Sequence, residues 1–537
     1  MFRLWPWLFV LLVLLFTGFI RVRLLDVPLE RDEGEYAYAG QLILQGIPPY
    51  ELAYNMKLPG TYFAYALGMA VFGQTTAGIH LTLLVVNSLT IIFVFLLGRK
   101  LFGATAGLAA CASYALMSVS PGVYGMAAHA TQFVVLFGVP GTLLLWKSAE
   151  SGRARLLFFS GLLYGLAFLM KQQGLCFGLF GGIFLVWGQM QSKPVVWIEL
   201  AKKIFIFGLG IILPFGLTCI YLEMAGVFPK FWFWTISYAS TYATAKSLWI
   251  GLQLFSLYLQ ATFAVYLGFW MLGIAGLLLA LRNKAIQRQI IFIMGFLFFG
   301  FLGTATGLYF RGHYFVLLLP AFAIVVGLAV SLLQQAGQSR IWKMIPLLLF
   351  AAVLGWNVFV SKDLYFQLTP EQVNRVIYYD NPFVESLAVA RYIREHSSAD
   401  ARIAVVGSEP QIYFYAQRHS ATGYIYTYAL MESQPYAVKM QHEMINEIET
   451  NKPEYLVWVG YKLSWMVNSS SDFQIFDWFQ KYAGEFYEKT GIVDTRATGE
   501  TIYLWDADAR NYHGSVEQYF VIYKRKADAK TDPVKRN

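Results

Sequence analysis

Charged side chains are scarce in this chain. Of its 537 residues, 14% are Asp, Glu, Lys or Arg, whereas 57% are hydrophobic and 17% are aromatic. So little charge cannot cover the surface of a soluble globule of this size. Apolar stretches such as 204–221 and 314–332 are long enough to cross a bilayer, which takes about 20 residues. The composition therefore predicts a polytopic α-helical membrane protein.

Cysteine is rarer still, with only Cys111, Cys176 and Cys219, each inside an apolar segment. Their spacing gives neither a disulfide framework nor a metal-binding motif, so we expect small packed residues.

A cleavage site of small residues is also missing after the first apolar segment, 8–20, where two arginines follow instead. We therefore expect this segment to be a retained anchor rather than a signal peptide.

The formal net charge of +9 does not indicate nucleic-acid binding, because the basic residues lie in short loops between apolar segments. The positive-inside rule places these loops in the cytoplasm. They lie at 99–100, 147–155, 193–203, 282–288 and 340–343. With the N-terminus inside, this pattern requires about eleven spans. The first long loop, 21–78, the turn at 309–314 and the C-terminus are then outside the cytoplasm.

Three short segments of the outer side are apolar or aromatic without being normal spans. Residues 36–44 and 61–72 are predicted to be interfacial or re-entrant helices. Residues 229–234, Pro-Lys-Phe-Trp-Phe-Trp, form an aromatic girdle that suits the headgroup zone. We expect this girdle to anchor the chain rather than to stack on a substrate.

The composition changes after residue 362, where charge becomes frequent and apolar residues alternate with polar ones. Residues 383–396 have a helical period, and the segments 402–406, 454–459, 502–505 and 519–523 are typical of strands. The sequence therefore predicts a membrane domain over 1–361 and a soluble α/β domain over 362–537, outside the cytoplasm. No internal repeat is visible, which argues against a secondary transporter.

Three acids, Asp32, Glu33 and Glu35, lie just past the first apolar segment. Carboxylates are costly in hydrocarbon, so this cluster should face water at the rim of the membrane. Asp32 could cap the following helix and Glu35 could favour its dipole. Capping explains one acid better than three, and the other outer loops are nearly free of acids. We therefore predict that Asp32 and Glu33 are catalytic, since a carboxylate can take a proton from an alcohol or amine.

Several cations also fall at outer segment ends. Lys57 lies just before Pro59 and Gly60, and Lys171 lies between two apolar runs. Arg311 and His313 lie in the same turn. A lysine at the interface can simply snorkel, and an arginine can simply contact lipid headgroups. Grouped with the acids, however, they suit a phosphate leaving group. We predict that Lys57, Lys171, Arg311 and His313 bind a donor phosphate, and that nearby His129 is only packed.

Four motifs carry a family resemblance. They are Asp-Glu-Gly-Glu-Tyr-Ala-Tyr at 32–38, Lys-Leu-Pro-Gly at 57–60, Gly-Arg-Lys-Leu-Phe-Gly at 98–103 and Arg-Gly-His-Tyr at 311–314. In this order they resemble the membrane glycosyltransferases of the GT-C fold. Within that fold, the sequence is most similar to the bacterial relatives of dolichyl-phosphate-mannose protein mannosyltransferases and of the lipid A aminoarabinose transferase. The resemblance covers the membrane half well, and the soluble domain only in general layout.

The resemblance implies an inverting glycosyltransferase in a bacterial inner membrane, with its active site and C-terminal domain outside the cytoplasm. The implied donor is a polyprenyl-phosphate sugar, and the acceptor is a lipid, protein or glycan. Membrane lipids are the other expected partners, and nucleic acid is not one. Asp32 matches the family's catalytic acid, Glu33 its neighbour and Lys57 the lysine near the donor phosphate. The turn from Arg311 to His313 matches a lipid-phosphate contact.

Two departures concern a metal site. The lipid A enzymes have a Glu where this chain has Met56, and many relatives have an acid in the second outer loop, where this chain has Thr131 and Gln132. Hard cations prefer carboxylates, so the sequence does not support a divalent metal, and the cofactor requirement stays open. A transporter of a lipid-linked or small solute is the alternative function, and a non-catalytic scaffold is a third. Charges at segment ends rather than in mid-bilayer favour the enzyme.

Overall fold

The structure, a computed structural model, describes residues 4–192, 194–496, 499–512 and 517–527; at 263–264 it describes the backbone alone. Lys193 of one basic loop and the polar tail from residue 528 onward lie outside the described residues. The chain divides into two compact units. The first unit comprises Met1–Val27, Lys57–Gly226 and Ser237–Val373, and the second comprises Pro28–Met56, Val227–Ile236 and Asn374–Asn537.

The first unit is helical. Its main helices are Trp5–Arg23, Gly60–Phe72, Thr76–Phe102, Ala104–Ser118, Ala130–Ser151, Ala154–Met170, Leu175–Met190, Trp197–Met224, Ala239–Ala243, Leu248–Leu281, Gln287–Ala305, Leu319–Ala336, Arg340–Val360 and Lys362–Phe366. Short 3₁₀ turns join some of them, at Pro121–Val123, Gln172–Gly174, Lys284–Ile286, Thr306–Leu308 and Gly312–Leu317. The helix Pro370–Tyr378 contains the point where the chain passes from one unit's range to the other.

Many of these helices have the length and composition of membrane spans. Among the described residues, eight are long and apolar enough, or nine if the bent pair Leu248–Thr262 and Val265–Leu281 is one span. Gly60–Phe72, Ala104–Ser118 and Ala154–Met170 are shorter apolar helices. Counting Ala104–Ser118 and Ala154–Met170 together with the nine gives the expected total of about eleven spans. The prediction of a polytopic helical membrane protein is confirmed.

Helix ends and helix contacts in this unit follow from local sequence. Thr75 accepts a hydrogen bond from the Gly78 amide at 3.0 Å and so begins the helix Thr76–Phe102, which Gly103 ends with a φ of 91°. Gly161 permits the close approach of the helices Ala154–Met170 and Trp197–Met224. A Cβ there would lie 2.2 Å from the Phe207 carbonyl oxygen. Small residues at such crossings are the usual way for apolar helices to pack in lipid.

The second unit is built on a six-stranded sheet. Its strands are β1 (Arg402–Val406), β2 (His419–Ser420), β3 (Tyr455–Val459), β4 (Tyr487–Thr495), β5 (Thr501–Trp505) and β6 (Gln518–Arg525). The order is β2-β1-β3-β6-β4-β5, with β1 parallel to β2 and β3, and β6 antiparallel to β3 and β4. The central strands β1 and β3 are almost wholly buried, as expected for a parallel pair covered on both faces.

Helices from three parts of the chain belong to this unit. They are Arg31–Leu44, Phe228–Trp232, Glu385–His396, Gln411–Ala416, Tyr428–Met431, Ala437–Asn451, Lys462–Trp465, Gln474–Phe486 and Asp506–Arg510. The prediction of a C-terminal α/β region is therefore confirmed. The unit also includes 28–56 and 227–236, which the sequence analysis had placed among the outer loops of the membrane domain.

Candidate functional site

The acidic cluster belongs to the start of the helix Arg31–Leu44 in the second unit. Glu30, not Asp32, caps this helix, because its carboxylate accepts a hydrogen bond from the Glu33 amide at 2.9 Å. The Glu33 carboxylate accepts in return from the Glu30 amide at 3.4 Å, which completes a capping box. Residues 31–42 are all buried, so protein covers most of the helix for which the sequence predicted a position in the membrane interface.

Arg31 fixes this helix to the loop that follows β1. Its guanidinium donates to the Ser408 carbonyl oxygen, to a Glu409 carboxylate oxygen at 2.5 Å and to the Tyr428 hydroxyl at 2.9 Å. Arg31 and Glu409 are both buried, so the pair satisfies two charges that would otherwise be costly. Gly34 brings the helix close to Gln411, since a Cβ on Gly34 would lie 2.6 Å from the Gln411 amide nitrogen.

The three acids of the cluster have different surroundings. Asp32 keeps 8% of its surface exposed and accepts from the Tyr426 hydroxyl at 3.4 Å. Glu33 is 1% exposed and takes part in the helix cap, while Glu35 is fully buried and accepts from the Asn55 amide at 2.7 Å. Asp32 is thus the least buried of the three. Of the two predicted catalytic acids, it is the one better placed to meet a substrate.

The predicted phosphate-binding residues all lie in the first unit, and the fold brings them together. The Thr61 hydroxyl donates to the Met170 carbonyl at 2.8 Å, which joins the segment after Lys57 to the residue just before Lys171. The Lys171 ammonium lies 4.1 Å from the centre of the Tyr314 ring, which joins it to the turn that carries Arg311 and His313. We call Lys57, Lys171, Arg311 and His313 the cation cluster. Its three cations are partly buried.

His313 is the buried member of the cation cluster. Its ring stacks on that of His129, with the ring centres 4.1 Å apart and the planes at 14°. Burial lowers the pKa of His313 well below its usual value, and interactions with His129, Lys171, Arg311 and Lys57 lower it further. The lowered pKa favours the neutral imidazole of His313, which can offer a ligand a hydrogen bond rather than a charge. Imidazole nitrogens of His129 and His313 could also ligate a transition metal.

Polar groups near this cluster are buried without hydrogen-bond partners among the described residues. They are the Thr131 hydroxyl, both amide atoms of Gln132, the Gln173 amide oxygen and Nδ1 of His313. Buried polar atoms are nearly always hydrogen-bonded, so such a group is typical of a place that receives a polar ligand. Gln132 entered the sequence-based prediction only as a departure at the metal site, and Gln173 did not enter it. Their positions at the ends of apolar runs, next to His129 and Lys171, were the available signal.

Residues 57–216 match the family model described as dolichyl-phosphate-mannose-protein mannosyltransferase. A Pseudomonas aeruginosa protein named undecaprenyl phosphate-alpha-4-amino-4-deoxy-L-arabinose arabinosyl transferase is 33% identical over 150 residues, and a Pseudomonas paraeruginosa protein of the same name is similar to the same degree. The match covers 26% of this chain and 27% of each relative, about a quarter of their length.

Two solved structures resemble the whole chain. ArnT from Cupriavidus metallidurans, crystallised with undecaprenyl phosphate, has a TM-score of 0.61 at 14% identity, covering 98% of this chain and 99% of ArnT. The archaeal oligosaccharyltransferase AglB from Archaeoglobus fulgidus, in complex with an inhibitory peptide and a dolichol-phosphate, has a TM-score of 0.54 at 11% identity. That match covers 94% of this chain and 74% of AglB.

The fold and the matched segment define a class of protein, a polytopic membrane protein of the GT-C fold. Within that class, the chain has the fold of ArnT along nearly its whole length. The resemblance to GT-C glycosyltransferases that the motifs indicated is thereby confirmed at the level of the fold.

Proposed function

We propose that this protein is a membrane glycosyltransferase that moves a sugar from a polyprenyl-phosphate donor to a lipid, protein or glycan acceptor. The observation that carries the proposal is the cation cluster, in which contacts of Thr61 with Met170 and of Lys171 with Tyr314 bring Lys57, Lys171 and Arg311 together. Partly buried cations stabilise an anionic leaving group far better than exposed ones do. The two structural relatives were solved with undecaprenyl phosphate and dolichol-phosphate, which belong to the same chemical class as this donor.

In the proposed reaction, a hydroxyl or amine of the acceptor attacks the anomeric carbon from the face opposite the phosphate. The bond between that carbon and the phosphate oxygen breaks as the new glycosidic bond forms, so the configuration inverts. Asp32 takes the proton that the acceptor loses. Lys57, Lys171 and Arg311 stabilise the departing polyprenyl phosphate, and neutral His313 donates a hydrogen bond to it. Glu33 holds the start of the helix that carries Asp32.

The proposed location is the inner membrane of a bacterium, with Asp32 and the cation cluster open to the outside. The distribution of basic loops supports this orientation. A transporter is less well supported, because Lys171 directly follows the helix Ala154–Met170, and Arg311 lies between Gln287–Ala305 and Leu319–Ala336. Cations at helix ends suit a reaction at the membrane surface rather than a path through its middle.

The discriminating experiment measures donor consumption in detergent, where no gradient can drive transport. The purified protein is mixed with polyprenyl phosphate carrying a labelled sugar and with an extract of bacterial envelope lipids and glycans. We expect the label to leave the polyprenyl phosphate and appear on one acceptor. Arg311→Gln should abolish this transfer, while Arg340→Gln, an exposed arginine at the start of another helix, should leave it unchanged. A donor that stays intact with every acceptor fraction would favour the transporter.

The sugar and the acceptor can then be identified by mass spectrometry of envelope glycolipids and glycans in a deletion strain. The proposal expects one modified species to disappear and to return with the wild-type gene. A strain whose envelope is unchanged would contradict an enzymatic role and leave the scaffold as the better account.

A further inference from the structure

The second unit contains a cavity of about 510 Å³ that the proposed reaction does not use. It lies within this unit, between residue 54, the segment 227–236 and the helix Ala437–Asn451. Its principal lining residues are Tyr54, Trp234, Tyr424, Tyr436, Glu443 and Glu447. The volume falls within the range of about 300–1,000 Å³ that is typical of small-molecule sites.

Aromatic rings form the apolar walls of this cavity. The rings of Tyr54 and Trp234 are stacked at 6.0 Å, and the Tyr424 ring meets both of them edge-on, at 5.3 and 5.9 Å. Phe233 and Tyr436 form a second, T-shaped pair at 5.1 Å. The face of an aromatic ring carries negative charge density, so it attracts the polarised C–H groups on the flat face of a sugar ring.

Carboxylates line the other side of the cavity and are held in place. Glu447 accepts hydrogen bonds from the Tyr54 hydroxyl at 3.0 Å, the Thr422 hydroxyl at 2.6 Å and the Gly423 amide at 2.9 Å. Glu443 accepts from the Tyr424 hydroxyl. Fixed carboxylates of this kind can accept further hydrogen bonds from the hydroxyl groups of a ligand.

The charges around the cavity balance. Lys230 lies 4.2 Å from the Tyr54 ring centre, and Lys439 lies 3.7 Å from the Glu443 carboxylate. Two carboxylates and two ammonium groups therefore line the same cavity. An anion or a cation would gain little from such a balanced set, whereas a neutral ligand with many hydroxyls can use both kinds of group. Asn446, also in the lining, adds an exposed amide that can donate and accept.

The segment 229–234 supplies part of this cavity, although the sequence analysis assigned it to membrane anchoring. Phe231 is fully buried and Trp234 is 5% exposed, whereas Trp232 is 46% exposed. Trp232 is the ring that fits an anchor. Trp234 faces the cavity, so the aromatic run serves the interior of the second unit as well as its surface.

We propose that this cavity binds a neutral sugar ring of a glycan acceptor, stacked on the half-buried rings of Phe233 and Tyr436 and hydrogen-bonded to Glu443, Glu447 and Asn446. The assignment of the bound sugar to the acceptor rests on the proposed function. The binding itself does not, because it depends only on residues of the second unit.

The test is saturation-transfer NMR on the purified full chain in a detergent without a sugar headgroup, since a glycoside detergent would compete. The probes are mannobiose, chitobiose and lactose, each without donor lipid. We expect at least one to bind in the millimolar range. Tyr436→Ala should weaken that binding roughly ten-fold through the lost aromatic contact. Asn446→Ala, at an exposed position that folding does not need, should weaken it several-fold.

Trp232→Ala is the matched control, because it removes a ring of the same segment that points away from the cavity, and binding should persist. Absence of binding by all three disaccharides would overturn the inference, as would equal binding by Tyr436→Ala and wild type. Measuring sugar binding and sugar transfer on the same wild-type preparation separates the two proposals. If the wild-type protein binds the sugar but transfers none, the proposed function is contradicted and this inference stands. If the wild-type protein transfers sugar from the donor but binds none of the disaccharides, this inference is contradicted and the proposed function stands.

Discussion

Replacing Lys171 with glutamine tests whether the cation cluster holds a lipid phosphate. The Lys171 ammonium is partly buried and is positioned by the Tyr314 ring, 4.1 Å from its centre. A hydrogen bond between charged groups in such a place contributes about 1.5–3 kcal/mol. Its loss should therefore raise the Kd for undecaprenyl phosphate roughly 10- to 150-fold. Tyr314→Leu, which removes only the platform under the ammonium, should cost about 0.5–1 kcal/mol, or roughly two- to five-fold.

The assay is equilibrium binding of undecaprenyl phosphate to the purified full chain, with thermal unfolding of each variant measured in parallel. Lys343→Gln is the matched control, because Lys343 is an exposed lysine of the same unit on the helix Arg340–Val360. We expect its affinity to stay within about two-fold of wild type, since an exposed charge contributes little. Equal affinities for Lys171→Gln and wild type, with both proteins folded, would refute the assignment of Lys171 to phosphate binding.

Three further predictions concern pH, packing and a buried ion pair. Because folding lowers the pKa of His313 below its usual 6.5, the unfolded chain takes up more protons in acid. The thermal stability should therefore be retained above pH 6.5 and fall as the pH drops from there towards 5. Melting curves of His313→Gln should show a smaller fall over the same pH range. Gly34→Ala should destabilise the protein by about 1–3 kcal/mol, because the new Cβ would collide with the backbone of Gln411. Gly484→Ala lies at a helical position with open space, so it should stabilise the protein by up to about 1 kcal/mol. Denaturant titrations measure both changes. Arg31→Met should cost about 3–5 kcal/mol by leaving Glu409 buried without its partner, and adding Glu409→Gln should recover part of that loss in a double-mutant cycle.

Local patterns in the sequence were sufficient for the helical spans and several strands. The strand predicted at 402–406 has those bounds in the structure, because a short, wholly apolar run is typical of a buried parallel strand. The cations fell at the ends of apolar runs, where a helix must stop and the chain must turn. Strand β4, Tyr487–Thr495, escaped prediction because charged residues and Gly491 interrupt its alternation, and the pairing there has a bulge.

Long-range contacts were beyond the reach of local patterns. The second unit includes the acidic helix because Arg31 pairs with Glu409, a residue 378 positions later in the chain. The apolar stripe at 36–44 did not reveal that protein covers most of this helix, because a local pattern does not distinguish lipid from protein as the partner of an apolar face. The alternative role considered for Asp32, the helix cap, belongs to Glu30 in the structure, although Asp is the commoner residue type at that position.

The most direct test of the central claim compares Asp32→Asn with wild type in two measurements on the same preparation, sugar transfer from polyprenyl phosphate and binding of undecaprenyl phosphate. The account predicts that transfer falls by roughly 10²–10⁴-fold, as expected for loss of a proton acceptor, while lipid binding stays within about two-fold. Transfer that persists near the wild-type rate in a folded Asp32→Asn protein would contradict the assignment of Asp32 as the proton acceptor.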